Sequence, residues 1–220
     1  MPNPTLVPHP TNRHPKLRIA INYPQFWAAP MQPVKRAVFL DRDGVININR
    51  PHNVTSWQEF VFESGALSAL ARLAATDFSL IVVSNQSAIG RGQMTRAAVD
   101  EIHAQMQRAI ERAGGRLDRI YYCPHAPQEQ CACRKPSPEM LWRGRAELGV
   151  DLTQSFFIGD WIDDVRAARG AGVTPLLVRT GRGLAAQQEI ERSALPPPLI
   201  FENLAAAAEW IFKQAQTATK

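Results

Sequence analysis

The chain reads as an α/β protein built on a mostly parallel, doubly wound, Rossmann-like sheet. Three observations predict this. Short apolar runs alternate with helical periodicity from residue 37 onward. Each interval between runs is long enough for the crossover that parallel strands require. Polar, chemistry-bearing residues fall at the ends of the runs, where such sheets bind ligands.

The elements follow in order. AVFLD (37–41), SLIVVSN (79–85), RIYYC (119–123), SFFIGD (155–160) and TPLLVRT (174–180) read as buried strands. Between them, residues 63–75, 95–114, 137–149 and 163–172 read as helices. Ser64, Thr95, Ser137 and Asp163 stand where helices are capped, and Gly114, Gly149 and Gly172 stand where they end. After Gly183 a linker with three prolines (196–198) leads to LIFENLAAAAEWIFK, which supplies an edge strand and a closing helix. No internal repeat is visible.

Residues 1–36 read differently. They hold eight of the 17 prolines and no acidic residue, and are expected to form a loosely ordered basic extension before a domain spanning 37–220. Met31 would serve as an alternative start of translation. The net charge of +5 resides in that extension: the remaining 20 basic residues balance the 20 acidic ones. A basic face for nucleic acid is therefore not expected. No apolar run reaches the roughly 18 residues of a membrane span, and no secretory signal is evident. Three cysteines within eleven residues do not make a disulfide framework, which points to a reducing, cytoplasmic setting.

The chemistry collects at strand ends. The first strand ends in Asp41-Arg42-Asp43-Gly44, the second in Ser84-Asn85-Gln86-Ser87, the fourth in Gly159-Asp160. Arg134 and Lys135 lie in the loop after the third. An Asp-x-Asp pair alone is more often a turn or cap. Here it offers a nucleophile and an acid/base on one side of a strand end, with Gly44 freeing the backbone to turn. Clustered carboxylates need a cation, and Asp160 would complete an oxygen-ligand Mg²⁺ site. Ser84 offers a hydroxyl and Lys135 a point charge. Together these describe phosphoryl transfer to a carboxylate.

DRDGV, Ser84, Lys135 and GDWIDD, in that order, resemble the motifs of the haloacid-dehalogenase-type phosphatases. SNQSAIGRG (84–92) and CPHAPQEQCACRKPSP (123–138) resemble the branch that contains the D-glycero-D-manno-heptose 1,7-bisphosphate and histidinol-phosphate phosphatases. The resemblance runs from Ala37 to Gly183. It implies a haloacid-dehalogenase-like fold without a large cap domain. It implies that Asp41 attacks phosphorus and that Asp43 is the acid and base. Mg²⁺ would be held by Asp41, the backbone carbonyl of Asp43, and Asp160, supported by Asp164. Ser84 and Lys135 would neutralise the phosphoryl group, and Asn85, Arg91 and Arg134 would grip the rest of the substrate. That substrate would be a small phosphorylated sugar, a heptose bisphosphate losing its 7-phosphate, and the enzyme a monomer. Histidinol phosphate, another small phosphomonoester, and an inactive zinc-stabilised binding protein are the rival readings. PHNV (51–54), SNQSAIGRG, PSPEM and Trp161, which stands where the family often has lysine, depart from the branch's pattern and bear on substrate choice.

Cys123, His125, Cys131 and Cys133 offer four soft or borderline ligands, a set suited to structural tetrahedral Zn²⁺. Free cysteines in a loop are the plainer alternative. C-x-C spacing disfavours redox chemistry, and the ligand pairs lie too close to enclose a recognition helix. Fixing this loop would fix where Arg134 and Lys135 point. His103 reads as a surface or partly buried helical residue, His52 as a lesser candidate for substrate contact, and Trp57 and Phe60 as packing. Arg42 should point away from the aspartates on strand alternation.

Overall fold

The computed structural model describes residues 35–217. The expected extension, apart from Lys35 and Arg36, and the Met31 start lie outside the described residues. A six-stranded sheet has the order β3-β2-β1-β4-β5-β6. Its strands are β1 (Ala37–Leu40), β2 (Ser79–Asn85), β3 (Arg119–Cys123), β4 (Phe156–Gly159), β5 (Thr174–Val178) and β6 (Leu199–Phe201), and every pairing is parallel. The helices are α1 (Ala66–Ala74), α2 (Ser87–Gly90), α3 (Arg96–Arg112), α4 (Glu139–Leu148), α5 (Ile162–Ala171), α6 (Gly183–Glu191) and α7 (Leu204–Thr217). No helix among the described residues is long and apolar enough to cross a membrane.

Period-2 alternation divides the core. Val38 and Leu40 of β1 pack with Leu80, Val82 and Ile158 against α1, α3 and α7, through Leu70, Leu73, Met106 and Ile211. Ala37 and Phe39 face the other way, with Ile81, Val83 and Phe157, onto Met140 and Leu141 of α4 and Ala167 and Ala168 of α5. A strand buried on both faces must be apolar throughout, and β1 is wholly buried. The strand order reverses between β1 and β4, so the chain ends leaving those strands flank the crevice where such sheets bind ligands.

Two elements depart from expectation. Residues 183–191, read as linker, form α6, whose Ala186 and Ile190 pack with Ile162, Val165 and Leu177. The turn α2 follows β2 directly. Of the expected caps, Thr95 accepts a hydrogen bond from Ala98 N at 3.1 Å. At α1, α4 and α5 the capping positions belong instead to Gly65, Pro138 and Trp161.

Candidate active site

Asp41 continues β1: its backbone N–H donates to Ile158 O of β4 at 2.9 Å, so it emerges inside the ladder beside Asp160. Lys135 reaches it from the loop after β3. The buried ammonium donates to Asp41 Oδ1 at 2.9 Å, Asp164 Oδ1 at 2.7 Å and Val83 O at 2.9 Å. Those acceptors use all the N–H donors of a lysine. Burial would lower its proton affinity, but Asp164 and Asp41 outweigh it and raise the lysine above its ordinary value. Asn85, expected on the substrate, is engaged on Lys135: Nδ2 donates to Lys135 O and Oδ1 accepts from Lys135 N, both at 3.1 Å.

Ligand atoms of Asp41, Asp160 and Asp164 lie within 4.8 Å of one another. Burial pushes the Asp41 carboxyl up to about 6; Lys135 opposes the rise and Asp164 and Asp43 add to it. Asp160 is raised well above the usual carboxylate range by burial and by Asp41 and Asp164. Its Oδ1 is buried without a hydrogen-bond partner, while Oδ2 accepts from Arg182 N at 2.8 Å. An orphaned oxygen among clustered hard donors fits a divalent cation such as Mg²⁺. Two glycines make room for that carboxylate. A Cβ on Gly44 would stand 2.1 Å from Asp160 Oδ2, and one on Gly181 would stand 2.2 Å from it. Gly44 also has φ +84°, so the turn after the aspartates requires glycine twice over.

Asp43 is held apart from the acid cluster. Its Oδ1 accepts from Arg42 Nη2 and Asn47 Nδ2, both at 3.0 Å; Oδ2 accepts from Arg42 Nη2 at 2.9 Å and Gln86 Nε2 at 3.0 Å. Burial alone would raise this carboxyl, but Arg42, Asn47 and Gln86 together hold it below the ordinary value. Gln86 also donates to Ser84 Oγ at 2.9 Å, which ties the Asp43 carboxylate and the Ser84 hydroxyl together. Arg42 therefore does not stay away from the aspartates. Its side chain runs toward α3, as alternation expects, but β1 ends at Leu40 and the chain bends at Arg42, which brings the Asp43 carboxylate onto the guanidinium. His103, expected near the surface, is buried, with Nε2 3.2 Å from Arg42 Nη1.

The sulfur and nitrogen atoms of the cysteine loop converge. Cys123 Sγ lies 3.4 Å from Cys131 Sγ and 3.5 Å from His125 Nδ1; Cys133 Sγ lies 3.6 Å from Cys131 Sγ and 3.3 Å from His125 Nδ1. Ligands at ordinary Zn–S distances on a tetrahedron stand about 3.8 Å apart, so the set fits zinc. All three thiols are free of disulfides.

Above the acids opens a cavity of about 360 Å³, lined by Asp41, Asp43, Ser84, Arg91, Arg134, Lys135 and Asp164, among others. Asn49, Arg50, Pro51 and Asn53 form the wall after β1; His52, between them, is solvent-facing and 3.9 Å from Glu59. Trp57 stacks on Phe60 at 4.9 Å, as packing residues do. Sequence reasoning missed Gln86, Asn47, Arg50 and Arg182. Gln86 lies within SNQSAIGRG and carried a signal; Arg182 carried none, because only the fold brings it over the Trp161 ring, 4.3 Å from its centroid.

Phosphoryl-transfer groups on the strand ends of a doubly wound parallel sheet define a class, the haloacid-dehalogenase-like hydrolases. A family model described as HAD-hydrolase-like matches residues 132–207. A D-glycero-β-D-manno-heptose-1,7-bisphosphate 7-phosphatase from Pseudomonas aeruginosa is 37% identical over 171 residues, covering 78% of this chain and 94% of the relative. The Escherichia coli K12 enzyme of the same name is 40% identical over 161 residues, covering 70% and 84%. A crystal structure of the D,D-heptose 1,7-bisphosphate phosphatase from Bordetella bronchiseptica, complexed with magnesium and phosphate, superposes with TM-score 0.77 at 38% identity, covering 82% and 99%. The chain belongs to this family of haloacid-dehalogenase-like phosphatases, and is a phosphoric monoester hydrolase.

Proposed function

We propose that the chain removes the 7-phosphate of D-glycero-β-D-manno-heptose 1,7-bisphosphate through an aspartyl-phosphate intermediate. The observation that carries the reading is the buried Lys135 ammonium, shared by Asp41 and Asp164 beneath a cavity lined by arginines. The shared name of its relatives supports the sugar. A carboxylate oxygen of Asp41 attacks phosphorus and the bond to the C7 oxygen breaks, with Asp43 supplying the proton. The arriving phosphate adds negative charge beside Asp43, which raises its affinity for that proton. Asp43 then takes a proton from water, which attacks the phosphoryl group; the bond to Asp41 breaks and phosphate leaves. Lys135 and Ser84 offset charge on the transferring oxygens. Asp41, the backbone carbonyl of Asp43 and Asp160 would hold Mg²⁺, with Asp164 in support; when bound, the ion neutralises carboxylate and phosphoryl charge. Cys123, His125, Cys131 and Cys133 would hold a structural Zn²⁺. Arg91 and Arg134, with Arg182, would meet the sugar and its second phosphate. A cysteine set that suits a metal fits a reducing, cytoplasmic setting.

A phosphate-release screen tests this across the heptose bisphosphate, sugar monophosphates and histidinol phosphate, with and without Mg²⁺. The bisphosphate should be preferred, Mg²⁺ required, and Asp41→Asn inactive. Faster release from histidinol phosphate, or turnover by the Asp41→Asn protein near that of the unaltered chain, would overturn it.

A further inference from the structure

Arg42 lies between the two aspartates and is completely buried. A buried guanidinium is costly unless it meets an anion and finds acceptors for its donors. Arg42 satisfies this incompletely. Among the described residues its one ion pair is with Asp43, and its Nε has no partner. An apolar side chain of similar volume would fill the space without that orphaned donor. The arginine is thus a poor choice for packing alone, and what it holds becomes the question.

It holds Asp43 through one nitrogen shared by both carboxylate oxygens, with Nη2 2.9 and 3.0 Å from them. The other donors to that carboxylate, Asn47 and Gln86, are neutral amides. Asp43 follows the end of β1 and bridges only to Asn47 within its own turn, so the sheet ladder does not fix its side chain. Arg42 is itself fixed from α3. Arginine has no acceptor, so the 3.2 Å contact requires that Nη1 donate to an unprotonated His103 Nε2. The His103 ring is backed edge-on by Tyr122 at 5.3 Å, whose hydroxyl donates to Asp100 at 2.7 Å.

We propose that Arg42, seated on His103, is a positioning residue that fixes the Asp43 carboxylate beside Ser84 for its acid and base steps. The inference rests on the phosphatase reading above and adds to it the origin of Asp43's orientation. One planar group reaches α3 and the loop after β1 at once, which a lysine's single nitrogen cannot reproduce.

Steady-state kinetics and melting temperature on Arg42→Lys, His103→Leu and His103→Gln test it, on a sugar phosphate that the unaltered chain hydrolyses. Misplacing a catalytic group costs on the order of 100-fold, which sets the expected kcat loss for Arg42→Lys, with KM little changed. Losing a supporting partner costs roughly tenfold, expected for His103→Leu. His103→Gln, whose carbonyl can accept from Nη1, should restore most of that loss. If Arg42→Lys or His103→Leu lowers the melting temperature but leaves kcat intact, the pair only packs and the inference falls while the phosphatase reading stands. If Arg42→Lys does not fold, the two His103 variants decide. Absence of turnover by the unaltered chain overturns both.

Discussion

Arg182 lines the candidate site without belonging to any motif. Its backbone N–H anchors Asp160, while its guanidinium lies over Trp161 and lines the cavity. No carboxylate pairs with it among the described residues, so its charge is available to an anionic ligand. Replacing Arg182 by Ala keeps the backbone bond and removes the charge. KM for a sugar bisphosphate should rise about fivefold, on the order of 1 kcal/mol, with kcat within twofold and a smaller effect on a monophosphate. Initial-rate measurements on the two substrates check this; equal effects on both would deny Arg182 the second phosphate. Asp41, Ser84, Lys135 and Asp160 were legible in the sequence because each adjoins a strand or a ligand run. Arg42's partner was not, because His103 lies 61 residues away and meets it only through the packing of α3.

Among elements, the loop between β3 and α4 is the one whose order cannot come from its own core. Residues 124–138 form no strand, and of the four candidate zinc ligands only Cys123, at the end of β3, is fully buried. Cys133 immediately precedes Arg134 and Lys135, and Asn85 fastens the far side of Lys135. With a metal on the four candidate ligands, the loop and the Asn85 amide would brace one lysine from opposite directions. Removing zinc with a chelator, or replacing Cys131 by Ala, should loosen Arg134 and Lys135 while sparing Asp41 and Asp160. We expect roughly a tenfold loss in kcat/KM and a lower melting temperature, with Mg²⁺ dependence unchanged. Kinetics beside metal analysis of the purified protein checks it; a zinc-free protein with unchanged kinetics refutes the role. The strands were legible as apolar runs, and Thr95 as a cap. α6 was not: it begins at Gly183 with no side-chain cap, and its apolar face emerges only against α5 and β5. The caps at Ser64, Ser137 and Asp163 shifted because glycine, proline and tryptophan positions serve once tertiary packing fixes the turns.

At the scale of the molecule, the buried ionisable groups pull stability in opposite directions as pH falls. Asp41 is protonated more readily folded, at about 6, than in the unfolded chain, so acid relieves its burial over the range from about 6 down to 3.8. His103 works the other way. Burial and the adjacent Arg42 lower it from 6.5 to about 3, against a weaker pull upward from Asp43. It is therefore neutral in the folded protein throughout the working range, whereas the unfolded chain takes up a proton as pH falls through 6.5. Its contribution to stability is whole above pH 6.5 and erodes continuously toward pH 3. At pH 5 the loss is about 2 kcal/mol. A direct acid titration would mix this with the opposite term from Asp41, so the comparison must be with His103→Gln, which keeps an acceptor for Arg42 and does not titrate. Urea unfolding of the two proteins at pH 7 and pH 5 should show the variant gaining about 2 kcal/mol relative to the native chain over that interval. An unchanged difference would mean that His103 is protonated in the folded state. That protonation would remove the acceptor from Arg42 Nη1 and place two buried cations in contact, which is the arrangement the fold is built to avoid.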